Sequence, residues 1–145
     1  MNCFYFLLEY QRAKRYGRNL CALFFDIDHF KNINDTYGHD IGDIVLKDLA
    51  SLVLVHIRET DFFARWGGEE FIILLPETTS ENALVLSEHI RNEIASHTFE
   101  KVDKITISIG ITSLKGNERQ NTFLKRLDKA LYTSKSEGRN RSVCL

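Results

Sequence analysis

The sequence predicts an α+β fold: a mixed, mainly antiparallel sheet flanked by helices. Three observations predict it. Leu20 to Phe25 is continuously apolar, the pattern of a strand buried on both faces. Phe62-Phe63-Ala64 and Phe71 to Leu75 flank Gly67-Gly68, which reads as a β-hairpin because glycine reaches positive φ without a Cβ clash. Segments with apolar residues at helical spacing alternate with these strands. The tight hairpin set between helices argues for a palm-like layout over a doubly wound sheet.

Phe4 to Arg18 reads as a helix with an apolar stripe of Phe4, Leu7, Leu8 and Ala13, stopped by Gly17. The buried strand follows and ends at Asp26. Asp28 to Asn34 has room for a helical turn, and Asn34-Asp35 and Tyr37 to Asp40 are expected to break the chain. Ile44 to Ile57 repeats Val45, Leu49, Leu52, Val53 and Ile57 on one helical face, with Arg58 at its C-terminal end. Pro76 closes the hairpin. Thr79-Ser80 starts a helix carrying Ala83, Leu86, Ile90 and Ile94. Ile105, Ile107, Ile109 and Ile111 alternate with small polar residues, as in a half-buried strand. Phe123 to Ser136 forms the last helix, with Leu124, Leu127, Ala130 and Leu131 inward and Gly138 at the C-terminal cap position. Arg141 to Leu145 is placed as an edge strand.

The 145 residues suit one domain with one core, spanning 1–145. A formal charge of −1 supplies no basic field for nucleic acid, so any anionic ligand must be met by local Lys and Arg. The three cysteines, Cys3, Cys21 and Cys144, lack metal spacing and read as reduced, in a cytoplasmic setting. The apolar run at Phe4 to Leu8 is too short to span a membrane, so no membrane contact is expected from this segment.

The chemistry concentrates in two acidic turns. Asp26 ends the buried strand and Glu69 sits at the hairpin tip beside Glu70. If strand and hairpin are neighbours, the two carboxylates converge. Two such ligands, completed by phosphate oxygens and water, suit Mg²⁺ in phosphoryl or nucleotidyl transfer. Asp28 is expected to cap the turn after the strand. Asp26 to Asn34 resembles the start of a calcium loop, but Phe30, Lys31 and Tyr37 fail at the required oxygen, glycine and glutamate positions. No phosphate-binding Gly-Lys-Ser/Thr loop and no Ser-His-Asp or Cys-His signature stands out. Lys31, Lys135 and Arg139 are candidate phosphate ligands; Lys135 and Arg139, four apart, share a helix end, where such residues alone are more often solvated cations. Asn34 and Asp43 as a pair suit guanine, whose ring N–H and exocyclic amine a carboxylate can accept; singly each reads as a turn or cap residue.

Four stretches taken together resemble the GGDEF family, the bacterial diguanylate cyclases. They are Phe25 to Asp43, Arg65 to Phe71, Ser108 to Ile111 and Ala130 to Asn140, in family order. The resemblance implies a nucleotidyl-cyclase-like palm fold and GTP as substrate. It implies a pair of Mg²⁺ ions per active site, with Mn²⁺ as the alternative, held by Asp26, the Ile27 carbonyl and Glu69. Glu69 would also be the general base, and Lys31 would stabilise transition-state charge. Asn34, Asp43 and His39 would form the guanine pocket. Lys31, Lys135, Arg139 and the backbone around Phe30 would meet the phosphates, with Glu70 supportive. The reaction joins two GTP into cyclic di-GMP and two pyrophosphates across a homodimer. Arg58-Glu-Thr-Asp61 resembles the family's product-inhibition site, with Arg91 as a second arginine and His89 nearby; by itself it also reads as a helix-end arginine with a turn aspartate. The family's usual opening Asp-x-Leu-Thr segment is replaced by Met1-Asn2-Cys3-Phe4, which suggests the C-terminal part of a longer sensor protein, any membrane anchor lying upstream. Trp66 stands where tyrosine is commoner. The alternative function is a non-catalytic cyclic di-GMP receptor acting through Arg58 and Asp61. An RNA-binding sheet is disfavoured by the near-neutral charge and the lack of an aromatic strand signature.

Overall fold

A computed structural model describes residues 3–145, with side chains from Phe4 onward; Met1, Asn2 and the Cys3 thiol lie outside the described residues. The elements run α1 (Cys3–Tyr16), β1 (Leu20–Ile27), α2 (Phe30–Tyr37), α3 (His39–Leu54), β2 (Phe62–Gly67), β3 (Glu70–Pro76), α4 (Ser80–Ser96), β4 (Ile107–Ser113), α5 (Gln120–Ser136) and β5 (Ser142–Cys144). The five strands form one sheet in the order β2-β3-β1-β4-β5. All pairings are antiparallel except β4 with β5. The mixed, mainly antiparallel sheet is as expected, with β1 at its centre.

Every residue of β1 is buried, because helices cover both faces of the sheet. Cys21, Leu23, Phe25 and Ile27 enter one core layer, shared with α3 and α4. Leu20, Ala22 and Phe24 enter the other, shared with α1 and α5. The period of two thus splits one apolar run between two cores. Cys21 and Cys144 are free thiols.

The structure corrects several expected details. The inward face of α1 is Phe6, Tyr10 and Ala13, while Phe4 and Leu7 are exposed. Aromatic rings at i and i+4 outcompete the leucines, since Phe6 packs against Phe123. Asn34 and Asp35 do not break the chain; they lie inside α2, whose buried Phe30 and partly buried Ile33 anchor the helix against weak local propensity. The break is Gly38 alone, at φ 89, and α3 starts at once with His39, five residues earlier than Ile44. Ile57 and Arg58 therefore lie beyond α3, not on its last turn. β4 is not half-buried: Ser108 and Thr112 are fully enclosed beneath α5. A Cβ at Gly110 would fall 2.3 Å from the Leu131 backbone nitrogen, so the small residues on that face let α5 sit directly on the strand.

Candidate active site

The sheet register builds the site. Asp26 pairs opposite Glu70 on one side and Ser108 on the other, so the end of β1 meets the hairpin tip. The hairpin turns through Gly68 at φ 49, with a register shift after Arg65, and Arg65 Nε donates to the Gly68 carbonyl at 2.6 Å. This leaves Glu69 outside the ladder, half-buried, facing the end of β1. A cavity of about 160 Å³ lies there, lined by Asp26, Ile27, Phe30, Lys31, Glu69, Lys135 and Arg139. These residues come from three separate stretches of sequence, 26–31, Glu69 and 135–139. The first turn of α2 also lines it, and unpaired N–H groups at a helix start favour anions. His29, just before that turn, is held in the left-handed region at φ 57.

Asp26 is buried, and burial pushes its pKa up to about 6 against the opposing pull of Lys135, with the Glu69 and Asp28 charges adding to the rise. The Lys135 ammonium pairs with Asp26 Oδ2. Asp26 Oδ1 is buried without a hydrogen-bond partner. Among the described residues, no group of three or more His, Cys, Asp or Glu side chains is placed to hold a metal. An ion here would take two carboxylates and a carbonyl, leaving its other positions to substrate oxygens and water. An orphaned carboxylate oxygen in an all-oxygen donor set fits Mg²⁺.

Asp28 does not cap α2. Because β1 runs on through Ile27, Asp28 lies alongside β4, accepting from Thr106 Oγ1 at 2.7 Å, Ser108 Oγ at 2.5 Å and the Asn140 N–H at 3.0 Å. Both its oxygens are engaged by these donors, although Asp28 also lines the cavity.

Asn34 lies on α2 against Gly42 of α3, and its Oδ1 is buried with no hydrogen-bond partner. Asp43, the next residue along α3, lines a neighbouring cavity of about 380 Å³ with Lys47, Phe63 and Arg65. His39 sits exposed at the first position of α3 and lines neither cavity, because the helix begins there rather than after it.

The sequence model of the family described as "Diguanylate cyclase, GGDEF domain" matches residues 5–141. The chain belongs to the GGDEF family. It is 45% identical over 136 residues to diguanylate cyclase DgcP of Pseudomonas aeruginosa, covering 92% of this chain and 20% of that protein. It is 40% identical over 139 residues to the response regulator PleD of Caulobacter vibrioides, covering 92% of this chain and 31% of that protein. The chain thus spans a fifth to a third of these two curated relatives. Among solved structures, the active GGEEF domain of a diguanylate cyclase from Vibrio cholerae superposes with a TM-score of 0.89 at 42% identity, covering 94% of this chain and 89% of that one. The GGDEF domain of DgcB from Caulobacter crescentus, solved in complex with c-di-GMP, gives 0.89 at 36% identity, covering 94% and 84%. The palm-like nucleotidyl cyclase fold is therefore that of this chain.

In this GGDEF chain, Arg58 and Asp61 lie at the other end of the sheet, beyond Leu20 and Pro76. The Arg58 guanidinium donates to both Asp61 oxygens, at 3.3 and 3.0 Å, and to the Pro76 carbonyl and Thr78 Oγ1. The Asp61 side chain is 2% exposed and that of Arg58 58%. Arg91 does not join them. Its guanidinium is committed to Glu88, Asn92 and Asn140, because its position on α4 faces the loop after α5. Two α4 residues reach His56, just after α3: His89, whose Nε2 lies 3.1 Å from His56 Nδ1, and Glu93 at 3.9 Å.

Sequence reasoning missed Asn140, Gly42 and Lys47. Lys47 was legible, one helical turn from Asp43 on the same face. The other two act through contacts between elements that no local pattern reports.

Proposed function

We propose that this chain is the catalytic domain, over 1–145, of a diguanylate cyclase that condenses two GTP into cyclic di-GMP and two pyrophosphates. The observation that carries the reading is the one cavity shared by Asp26, Ile27, Glu69, Lys31, Lys135 and Arg139. Asp26, the Ile27 carbonyl and Glu69 would hold Mg²⁺, which supplies charge neutralisation at the triphosphate and lowers the pKa of a bound hydroxyl. Asn34 and Asp43 would read guanine, Asp43 by accepting from its ring N–H and exocyclic amine. Lys31 and Arg139 hold the phosphates, with Lys135 balancing Asp26 and facing the same cavity. Glu69 accepts the proton of the ribose 3′-hydroxyl, whose oxygen then attacks the α-phosphorus of the GTP on a facing domain. The α-phosphorus–oxygen bond to pyrophosphate breaks, and Lys31 neutralises the charge that develops. Two such attacks close the ring, so a second copy is required.

Among the described residues, no helix is long and apolar enough to cross a membrane. GTP as substrate puts this domain in the cytoplasm, as part of a longer protein. Arg58, exposed over the buried Asp61, offers guanidinium edges for a phosphate and guanine of the product, giving feedback inhibition. The deciding experiment is turnover of GTP with Mg²⁺ by the chain fused to a dimerising coiled coil, with Glu69→Gln beside it. Cyclic di-GMP from the wild type alone supports the reading. No product, with tight binding of added cyclic di-GMP, would replace it by a receptor function.

A further inference from the structure

Arg91 lies away from the product site, and its contacts lead to the active site. Its Nε donates to Glu88 Oε2 at 2.6 Å and its Nη1 to Asn140 Oδ1 at 2.8 Å. Glu88 is held in turn by the Ser142 hydroxyl at 3.0 Å, and Ser142 shares a hydrogen bond with the buried Ser87. The Asn140 N–H donates to Asp28, which Thr106 and Ser108 already fix to β4. One residue, Asn140, therefore ties α4 and the end of β1 to the loop that leaves α5.

That loop carries Arg139, which lines the catalytic cavity. Arg139 and Asn140 both sit in the left-handed region, at φ 63 and 45. A Cβ makes this region unfavourable, so two such residues in succession persist only where surrounding contacts hold them. The Arg139 N–H is held by the Ser134 carbonyl at 3.0 Å and its carbonyl by Arg141 Nε at 3.1 Å, while Asn140 is held from outside the loop by its bonds to Arg91 and Asp28. A planar guanidinium can serve Glu88 and Asn140 at once, whereas an ammonium has no such fork.

The geometry points to Arg91 and Asn140 as positioning residues that clamp the phosphate-binding arm, holding Arg139 at the triphosphate. This rests on the reading of the cavity as the GTP site. Neither residue touches the substrate; they act through Arg139.

The test is calorimetry of a non-hydrolysable GTP analogue with Mg²⁺, and separately of cyclic di-GMP. It is run on the wild type, Arg91→Ala, Arg91→Lys, Asn140→Ala, Arg139→Ala and the Arg91→Ala/Arg139→Ala double variant, with thermal unfolding to confirm that each folds. Arg91→Ala and Asn140→Ala should weaken the analogue roughly tenfold, with product affinity unmoved, since misplacing a ligand contact by about 1 Å is costly. Arg91→Lys should not restore it. On the Arg139→Ala background, Arg91→Ala should add nothing, because both act through one contact. Loss of the product alone, equal loss of both ligands, or additive losses would overturn the clamp. If the wild type binds no analogue, the GTP reading fails by itself. Hydrogen exchange at the Asn140 amide then judges the clamp, faster in Arg91→Ala if it exists and unchanged if it does not.

Discussion

A Cβ on Gly42 would fall 2.0 Å from Asn34 Oδ1 and 3.2 Å from the tip of the Phe30 ring. The missing methyl group on α3 is the space in which the Asn34 carboxamide sits. Gly42→Ala must therefore swing Asn34 aside and press on the Phe30 ring, a cost offset in part by about 1 kcal/mol of helix propensity. The expected outcome is weaker binding of a GTP analogue with little gain in melting temperature. The Asn34→Ala/Gly42→Ala double variant should be more stable than Gly42→Ala, because the clashing atoms are gone. A double variant no more stable than the single one would show that the clash lies elsewhere.

Asp26 contributes a pH dependence opposite in sign to that of Glu88 and Glu118, whose pKa values are lowered. The Asp26 pKa rises from 3.8 to about 6 on folding, so the folded chain keeps a proton that the unfolded chain releases. The resulting stabilisation is full below pH 3.8 and lost as pH rises through about 6. Two pKa units correspond to about 3 kcal/mol. Urea unfolding without divalent ions, between pH 4 and 7, should show the wild type losing stability relative to Asp26→Asn. Parallel profiles would refute the burial argument.

Arg58→Ala strips the charged partner from a carboxylate that is 2% exposed. The residue-58 N–H still donates to Asp61 Oδ2 at 2.9 Å and the lost guanidinium is largely exposed, so the cost is about 1–2 kcal/mol, below that of a fully buried pair. We expect Arg58→Ala to lower stability visibly, and Asp61→Asn on that background to recover part of it. Chemical denaturation of the three variants measures this coupling, and additive losses would mean that the pair is energetically idle.

Gly110→Ala would press a methyl group onto the backbone of Leu131, which cannot swing aside as a side chain can. α5 must shift, and α5 carries Lys135. The expected loss is about 1–3 kcal/mol in stability, with a reduced rate of cyclic di-GMP formation. Wild-type stability in a melting experiment would argue against the close helix-on-strand contact.

Much of the fold was legible because the signals were strong and local. The run Leu20 to Phe25, the Gly67-Gly68 turn and the Ile107-Ile109-Ile111 alternation each matched an element. The misreadings share one cause. The leucines of α1 were as apolar as the aromatics that displaced them. Asn34-Asp35 has poor helix propensity, which the packing of Phe30 and Ile33 overrides. Ser108 and Thr112 look solvated by composition, yet α5 covers them.

Read alone, the chain shows which charged residues stand at its turns. Carboxylates at Asp26 and Glu69 and cations at Lys31, Lys135 and Arg139 are visible as residue types at turns, because turns are where strands end and sites open. Only packing in three dimensions assigned their partners. It gave both Asp28 oxygens to Thr106, Ser108 and Asn140, left one oxygen of Asp26 bare, turned Arg91 away from Arg58 and Asp61 toward the loop after α5, and seated Asn34 in the gap at Gly42. The physical reason is that a polar atom's role depends on which partners burial leaves within hydrogen-bond reach, and those partners lie up to 112 positions away along the chain.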